Sequence, residues 1–392
     1  MGKIIDGINA SISRQQPFFS LEFFPPKTEE GKENLLLRIE KMSGLHPLFV
    51  DITWAAGGSS KDLTMSITEY TQKYLGVNAL MHLSCSGVTI EDIKLILLEA
   101  KAAGIQNILA LRGDPAKGKI LWEPVAGGLL HAADLVKLIR EEHGDYFCIG
   151  VAGFPEGHPH CPDAKEVQIS HLRCKIEAGA DFILTQFFYE TSVFVDFAKA
   201  CRAAGITCPI IPGMMPIQNY ASFQRMSSYC RTHVSQNILD EMLPFRDDDD
   251  AVKEYGVKLC VQMCRELMDI GIEGVATGYH FYTMNLEKSV SLILKELGFE
   301  SQLTTRKSLP WRASRSDLRG LQEDVRPINW ANRPKSYLSR TSSWDEYPNG
   351  RWGDRRSPAF GELSNYHFFH PSIGSVEDRL AMWVCTYVRS YI

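Results

Sequence analysis

The sequence lacks the features of several large protein classes. Its 42 lysines and arginines and 47 aspartates and glutamates give a net charge of −5, which argues against a nucleic-acid-binding surface. No apolar run approaches the length of about 18 residues that a membrane-spanning helix needs, and residues 1–16 do not resemble a signal peptide. We therefore expect a cytoplasmic protein with reduced thiols that binds neither membrane nor nucleic acid.

Several catalytic and metal-binding motifs are also missing. No GxGxxG sequence follows a predicted strand, and neither a Walker A sequence nor GxSxG occurs, so loops of another kind must hold any nucleotide. The cluster His158–Cys161 has no matching second pair of ligands, and the acidic run Asp247–Asp250 has no spaced ligand set. We predict no metal site, and we interpret the acidic run as a solvated loop.

A repeating pattern of short apolar runs is present instead. Each run ends in polar, glycine or proline residues, and stretches with helical spacing separate the runs. At Gly104, Gly179 and Gly205 the sequence is typical of a helix end, a glycine turn and a buried parallel strand. The pattern predicts an α/β fold, a (β/α)8 TIM barrel over residues 1–299, with the active site at the carboxyl ends of its strands. The predicted strands are Phe18–Phe24, Leu48–Trp54, Ala79–Cys85, Asn107–Leu111, Phe147–Phe154, Phe182–Phe188, Pro209–Met215 and Gly274–Tyr282.

Three segments depart from this repeat. The interval between Met215 and Gly274 is about twice as long as the others, which predicts two or more helices there. Residues 300–322 are basic and lack helical spacing, as is typical of a linker. Residues 323–392 are rich in aromatic and turn residues and resemble the beginning of another folded unit, which we expect to be small or incomplete.

Two predicted strand ends carry charged side chains suited to chemistry. Glu22 lies among aromatic and aliphatic residues, which disfavour a charged carboxylate and so suit a general acid; alternatively it is on the polar side of an edge strand. Arg112, Gly113 and Asp114 combine a cation for phosphate, a glycine that permits close backbone approach, and a carboxylate. The alternative there is a local ion pair that caps the strand.

Other strand ends carry amide, aromatic and imidazole groups. Gln186 ends a very apolar strand, and its amide either binds the edge of a heterocycle or satisfies backbone groups. The aromatic residues around Tyr282 either stack on a planar ligand or fill the barrel mouth. We interpret His158 as a contact to phosphate or ribose rather than to a metal ion.

Taken together, these strand ends resemble the methylenetetrahydrofolate reductase family. Seven phrases occur in the family's order across residues 18–298. The segments Glu323–Ile328 and Ala359–Leu363 further resemble the animal and fungal form, in which a regulatory domain binds S-adenosylmethionine. The seven phrases are LEFFPPK at Leu21–Lys27, DITW at Asp51–Trp54, HLSC at His82–Cys85, LALRGDP at Leu109–Pro115, GHP at Gly157–Pro159, AGADFILTQ at Ala178–Gln186 and HFYT at His280–Thr283.

The resemblance implies a flavoenzyme. In such an enzyme NADPH or NADH reduces a bound FAD, and the flavin then reduces 5,10-methylenetetrahydrofolate to 5-methyltetrahydrofolate. By position, Glu22 is similar to the general acid that promotes opening of the folate's five-membered ring. Asp114 is similar to the carboxylate near pterin and flavin, Gln186 to the amide at the pterin edge, and Tyr282 to a substrate-contacting tyrosine. The implied FAD contacts are Thr53, Trp54, His82, Arg112, Gly113, Asp114, His131, Ala132, Phe154, His158 and Lys175.

The chain departs from the family at several positions. Leu286 replaces an arginine expected to help hold folate or the nicotinamide, Phe154 and His131 replace common tyrosines, and Gln168 stands near an expected aspartate. The chain stops at Ile392, where the family continues into its regulatory domain. We therefore expect a truncated or alternatively spliced form that has lost feedback inhibition by S-adenosylmethionine.

Three functional hypotheses follow from the sequence. The first is the active reductase, with the choice between NADPH and NADH and the formation of a homo-oligomer left open. The second is a poorly active folate- or flavin-binding variant that pairs with a full-length copy. The third is a different flavin barrel, such as a proline dehydrogenase-like enzyme, against which the phrases around Asp114 and Gln186 argue.

Overall fold

The predicted strands close into a parallel barrel. In a computed structural model of the protein, which describes residues 2–54, 61–113, 122–159, 161, 163–271 and 278–299, each strand pairs in parallel with its sequence neighbours, and the eighth pairs with the first. This arrangement confirms the (β/α)8 fold. Predicted and observed bounds differ by two residues at most, except at the start of the eighth strand, where residues 274–277 lie outside the described part. The strands are β1 (Phe18–Phe23), β2 (Phe49–Ile52), β3 (Asn78–Ser84), β4 (Asn107–Leu111), β5 (Cys148–Gly153), β6 (Phe182–Phe187), β7 (Ile210–Met214) and β8 (Gly278–Tyr282).

Helices precede, separate and follow the strands. The long interval between β7 and β8 holds three helices and a short 3-10 turn at Leu243–Phe245, as the prediction of two or more helices requires. The turns at Gly104, Gly179 and Gly205 follow helices and have φ values of 74°, 114° and 81°. The helices are α1 (Ile4–Ser13), α2 (Glu29–Ser43), α3 (Lys61–Leu75), α4 (Ile90–Ala102), α5 (Ala132–His143), α6 (Lys165–Glu177), α7 (Thr191–Ala203), α8 (Tyr220–Cys230), α9 (Gln236–Met242), α10 (Asp249–Ile270) and α11 (Lys288–Glu296).

The acidic run Asp247–Asp250 begins a helix and does not form the predicted loop. Asp248 is the N-cap of α10, and its carboxylate accepts hydrogen bonds from the backbone N–H groups of Asp250 and Ala251 at 3.0 and 3.1 Å. Asp249 and Asp250 occupy the first turn, where the helix dipole favours negative charge. The loop prediction was wrong because a helix N-terminus and a solvated loop favour the same residues.

An apolar layer fills the amino-terminal end of the barrel, and we call it the floor. Phe18, Phe49 and Leu80, from the first halves of β1, β2 and β3, pack there against Ile4 and Ile8 of α1. Asn107 anchors α1, since its side-chain oxygen accepts a hydrogen bond of 2.8 Å from the backbone N–H of Ile4. The floor closes one end of the barrel and leaves the carboxyl ends of the strands for a ligand site. Within the described ranges, no helix is long and apolar enough to cross a bilayer.

Candidate active site

Above the floor, four titratable side chains meet inside the barrel, and we call them the titratable layer. Glu22, Asp51, His82 and His280 lie on β1, β2, β3 and β8, which are consecutive around the closed sheet. The Nε2 atom of His280 is 3.6 Å from Glu22 Oε2 and 3.6 Å from Asp51 Oδ2. The Nε2 atom of His82 is 3.7 Å from the same Glu22 oxygen. Two carboxyl groups and two imidazoles therefore share one small space.

The shortest contact in the layer joins His82 and Asp51. Their Nε2 and Oδ1 atoms are 2.7 Å apart, and the Asp51 side chain is fully buried. This distance is that of a close, hydrogen-bonded ion pair. Burial lowers the pKa of His82, but the charge of Asp51, its hydrogen bond and the charge of Glu22 together raise that pKa above its ordinary value. The pair thus favours an imidazolium beside a carboxylate.

The same atoms also have a spacing that metal sites use. Ligand atoms of Glu22, Asp51 and His82 all lie within 4.8 Å of one another. Two ligands on one tetrahedral zinc ion, each about 2.0–2.1 Å from the metal, are about 3.3 Å apart. The 2.7 Å between His82 and Asp51 is shorter, so an ion pair accounts for the contact better than shared coordination. A second such group, Cys161, Asp163 and His171, is largely exposed, where this spacing is common without an ion.

Glu22 differs from its sequence-based description in one respect. Its side chain is 20% exposed and faces two imidazoles, so its setting is not the wholly apolar one that its neighbours in sequence suggested. The strand tip is held firmly: the Thr283 hydroxyl donates to the backbone carbonyl of Glu22 at 2.6 Å. Asn285 accepts from the Phe24 N–H at 3.0 Å and donates to the Phe24 carbonyl at 2.8 Å. These bonds tie the exit of β1 to the loop after β8.

Tyr282 and Gln186 lie on two further strand ends. Tyr282 is paired in register with Glu22, and its hydroxyl donates to the Thr185 carbonyl at 2.8 Å. The pairing of β6 with β7 shifts between Leu184 and Phe187, and a bulge of this kind redirects a side chain near an active site. The oxygen of the Gln186 amide accepts from the Phe187 N–H at 3.0 Å, so this amide does satisfy a backbone group. Among the described residues, its nitrogen makes a long contact of 4.0 Å to Cys230 Sγ.

A cationic corner forms after β4. The Nε and one Nη atom of Arg112 are buried and have no hydrogen-bond partner among the described residues, and the guanidinium lies 5.3 Å from the centre of the Trp122 ring. Lys175 donates to the Ala152 carbonyl at 3.0 Å. Burial, and secondarily the charge of Arg112, lowers the pKa of Lys175 to about 8. Two cations close enough to affect each other create a site for an anion.

At Gly113 the backbone after β4 packs closely against Ser84 and Ser86. Its φ is +88°, and a β-carbon at this position would lie 2.0 Å from Ser84 Oγ and 2.8 Å from Ser86 Cβ. Only glycine therefore lets the chain after β4 pass over the end of β3. The predicted partner in this phrase, Asp114, lies outside the described residues.

The remaining predicted FAD contacts also follow strands or begin helices at the carboxyl end. Trp54 is buried, and its indole N–H has no partner among the described residues. Thr53 donates its backbone N–H to Phe23 O at 2.9 Å, which orients the start of that loop. Ala132 is buried at the first position of α5, and the N–H of the preceding His131 donates to Asp134 at 2.9 Å.

Three of the departures from the family pattern have a clear structural setting. Gln168 accepts from the His158 N–H at 2.7 Å and donates to the Asp163 carbonyl at 2.8 Å, so it holds the loop after β5 in shape. The Phe154 ring makes an edge contact with His158, with ring centres 4.6 Å apart. Leu286 is 42% exposed beside the strand ends, in a loop where Met284 and Asn285 have positive φ.

Sequence reasoning missed three members of the site. Asp51 and His280 stand inside otherwise apolar strands, and Ser20 holds His280 through a 2.9 Å contact between its hydroxyl and Nδ1. A signal was available: in fully buried strands, Asp51 and His280 are titratable residues at inward positions, where apolar residues are usual. Both residues precede the ends of their strands, whereas a barrel's active-site residues are expected at those ends.

The chain matches two protein-family models and several curated proteins. The family model described as methylenetetrahydrofolate reductase matches residues 7–298, and the model described as MTHFR, SAM-binding regulatory domain matches residues 306–390. Among curated proteins, a probable methylenetetrahydrofolate reductase (NADH) of Oryza sativa subsp. japonica is 46% identical over 377 residues, which cover 94% of this chain and 63% of that protein.

Two further relatives differ in how much of their own length this chain covers. A probable methylenetetrahydrofolate reductase (NADPH) of Caenorhabditis elegans is 43% identical over 383 residues, covering 96% of this chain and 56% of that protein. The 5,10-methylenetetrahydrofolate reductase of Pectobacterium carotovorum is 33% identical over 298 residues, covering 75% of this chain and 95% of that protein. The chain thus spans less than two thirds of the length of its plant and nematode relatives and nearly all of the bacterial one. On the family match and these identities together, the chain belongs to the methylenetetrahydrofolate reductase family.

Proposed function

We propose that the chain is an FAD-dependent reductase that converts 5,10-methylenetetrahydrofolate to 5-methyltetrahydrofolate with NADPH or NADH as the electron donor. The observation that carries this proposal is the position of Glu22, a partly exposed carboxyl at a barrel strand end, in contact with the buried imidazoles of His82 and His280. Relatives named as methylenetetrahydrofolate reductases support the substrate class.

The described residues fit an FAD molecule. The unpartnered guanidinium nitrogens of Arg112 and the partly buried Lys175 need an anion, which a pyrophosphate supplies. The indole N–H of Trp54, which has no hydrogen-bond partner among the described residues, offers a donor to the ligand. When bound, the flavin supplies hydride transfer, which no amino-acid side chain performs. Arg112, Gly113, Lys175, Trp54 and the other predicted contacts would hold it.

The chain's own residues would bind the folate and move one proton. Glu22 donates its carboxyl proton to the nitrogen that leaves when the folate's five-membered ring opens, and the O–H electron pair stays on the carboxylate. The Gln186 amide would rotate away from the Phe187 N–H and hydrogen-bond to the edge of the pterin. Tyr282 would form one side of the substrate site, where its hydroxyl links β8 to Thr185 of β6. Asp114 would be the carboxylate that lies near the pterin and the flavin.

The electron donor stays undecided. The rice relative is named for NADH and the nematode relative for NADPH, at similar identity to this chain. Leu286 lies where a cation is expected to hold folate or the nicotinamide, and its exposed apolar side chain cannot do so. The cytoplasmic location and the homo-oligomer also stay predictions. Residues 306–390 match the regulatory-domain model.

An anaerobic absorbance experiment tests the proposal. The purified 392-residue chain is expected to show flavin bands that bleach with NADPH or NADH and return when methylenetetrahydrofolate is added. A protein without flavin bands, or a reduced flavin that folate never reoxidises, would overturn the reductase and favour the binding variant. Oxidation of proline in place of folate reduction would favour another flavin barrel.

The Glu22→Gln variant assigns the proton donor. We expect it to slow reoxidation by folate about 10²- to 10⁴-fold, the usual contribution of a general acid, while reduction of the flavin by the nicotinamide is spared. Stopped-flow absorbance measures the two half-reactions separately. Equal slowing of both half-reactions would show that Glu22 is not the acid.

A further inference from the structure

We propose that Thr283 is a positioning residue, which holds Glu22 in place by joining the exit of β1 to the turn after β8. The inference deepens the proposed function and rests on that function for its kinetic consequence. Its structural consequence, the protection of the Phe24 amide from hydrogen exchange, does not depend on flavin or folate.

Regular pairing between β1 and β8 ends at the residue that carries the carboxyl group. Glu22 is the last residue of β1 in register with β8, and it lies opposite Tyr282. The backbone carbonyl of Glu22 accepts a hydrogen bond of 2.6 Å from the hydroxyl of Thr283, the first residue after β8. A side chain thus continues the pairing where the backbone ladder stops. Because this carbonyl belongs to Glu22 itself, the bond acts directly on the residue that is the proposed acid.

The same hydroxyl group also accepts a hydrogen bond. The backbone N–H of Asn285 donates to Thr283 Oγ1 at 3.0 Å. A hydroxyl group has one donor and two acceptor positions, so Thr283 makes both contacts at once. Thr283 is fully buried, so bulk water does not compete for either bond. One oxygen atom therefore connects the backbone of Glu22 to the turn after β8.

The turn that Thr283 holds has a costly backbone conformation. Met284 and Asn285 have φ values of 51° and 56°, in the left-handed region that disfavours most residues other than glycine. Such residues persist where surrounding contacts fix them. The Asn285 amide bonds both backbone groups of Phe24, and the Arg38 guanidinium on α2 donates to the Asn285 carbonyl. Removal of the Thr283 hydroxyl takes away the bond at the start of this turn.

The position of the Glu22 carboxyl depends on the backbone that carries it. Its contacts to the imidazoles of His280 and His82, at 3.6 and 3.7 Å, are longer than hydrogen bonds. A displacement of about 1 Å at a catalytic group can cost about 10²-fold in rate. Thr283 should therefore matter for the folate half-reaction, which uses Glu22, and not for reduction of the flavin by the nicotinamide.

The first experiment compares Thr283→Val with Thr283→Ser. Valine keeps the branched shape without the hydroxyl, whereas serine keeps the hydroxyl without the methyl group. We expect Thr283→Val to slow flavin reoxidation by folate about 10- to 100-fold, with FAD affinity and the nicotinamide half-reaction unchanged, and Thr283→Ser to retain most of the rate. If the valine variant folds poorly, Thr283→Ala gives the same comparison, because it differs from Thr283→Ser by the hydroxyl alone.

Thr68→Val is the matched control. Thr68 is also fully buried and donates to a backbone carbonyl at 2.6 Å, but it lies on α3, and its replacement should leave both half-reactions unchanged. An unchanged folate half-reaction in Thr283→Val, equal slowing of both half-reactions, or an equal loss in Thr283→Ser would overturn the inference.

A double-mutant cycle shows whether Thr283 acts through Glu22. In Glu22→Gln the proposed acid is already absent, so the added Thr283→Val substitution has little left to misplace. We expect the double variant to reoxidise its flavin about as fast as Glu22→Gln alone. A role of Thr283 that is independent of Glu22 predicts losses that multiply, and this result would contradict the proposal.

Hydrogen exchange at the Phe24 amide tests the structural consequence in the 392-residue chain without flavin or folate. Thr283→Val should speed this exchange about tenfold or more, and Thr283→Ser and Thr68→Val should leave it unchanged. Unchanged exchange in Thr283→Val would show that Thr283 does not hold the exit of β1. If folate never reoxidises the flavin of the unmodified protein, the proposed function fails, while the exchange result still decides the role of Thr283.

Discussion

The floor and the titratable layer of the barrel share strands β1, β2 and β3, two to four residues apart, and differ in polarity and in charge. On β1 the inward positions run from Phe18 to Ser20 to Glu22, and on β2 from Phe49 to Asp51. The floor consists of large apolar side chains packed on α1. The layer above it contains two carboxyl groups and two imidazoles without apolar side chains between them.

The two regions touch, which shows how one supports the other. The Phe49 ring lies 6.3 Å from Phe182 within the floor and stacks on His280 of the layer with ring centres 6.2 Å apart. The packed Phe49 ring of the floor therefore fixes the orientation of the His280 imidazole, which lies beside two carboxyl groups. The lesson is that the floor supplies stability, whereas the layer concentrates groups that are costly to bury and useful for proton chemistry.

The largest expected effect is on the floor. Phe49→Ala removes a fully buried ring, and we expect the free energy of unfolding to fall by about 3–5 kcal/mol, because both burial and packing are lost. Urea denaturation followed by fluorescence measures it. The matched control Leu95→Ala, at a position that is 56% exposed, should change the free energy by less than about 0.5 kcal/mol. Similar losses in the two variants would contradict the distinction drawn between floor and surface.

A smaller effect is expected at the cationic corner. Arg112→Gln should weaken FAD binding by about 1.5–3 kcal/mol, the usual contribution of hydrogen bonds to a charged group. Arg112→Lys should recover part of this binding free energy, because lysine keeps the positive charge but lacks the paired N–H donors of the guanidinium. Titration of the flavin-free protein with FAD gives the dissociation constants. Arg173→Gln, which breaks an exposed pair with Glu177 on α6, is the control and should bind FAD normally. An unchanged FAD dissociation constant for Arg112→Gln would show that Arg112 does not bind the pyrophosphate.

The smallest effect is a pH dependence that comes from the layer. The folded state raises the pKa of His82, so its contribution to stability is fully present below the unfolded value of about 6.5 and is lost as pH rises through the folded value. The slope cannot exceed that of one proton, about 1.4 kcal/mol per pH unit. Unfolding free energies of the unmodified protein and His82→Gln, measured from pH 6 upward, should converge as pH rises. Parallel curves would mean that His82 is not charged in the folded state.

Most of the fold was predictable because its signals are local. Apolar runs of strand length, helical stripes and glycine turns each depend on a few neighbouring residues, and the bounds of β4 were predicted without error. The acidic run at Asp247–Asp250 shows the limit of such signals, since the residues that suit a loop also cap α10. Only the hydrogen bonds from Asp250 and Ala251 to Asp248 separate the two.

The site was predictable in part. Glu22, His82 and Tyr282 were found because they stand at or near strand ends in a fold whose active site is known to lie there. The partners of Glu22 were not found, because Asp51 and His280 become neighbours only when β8 closes against β1. The sequence also suggested an apolar setting for Glu22, since its neighbours along the chain are apolar while its neighbours in space are not.

By itself the sequence determined that the chain forms a parallel barrel with polar groups at one end, because alternation, run length and turn residues act over short distances. The tertiary structure decided which of those polar groups meet. Ser20 and His280 are 260 residues apart, and the register of β8 against β1 brings them to 2.9 Å. That register depends on how all eight strands pack around the floor, which no short segment of the chain encodes.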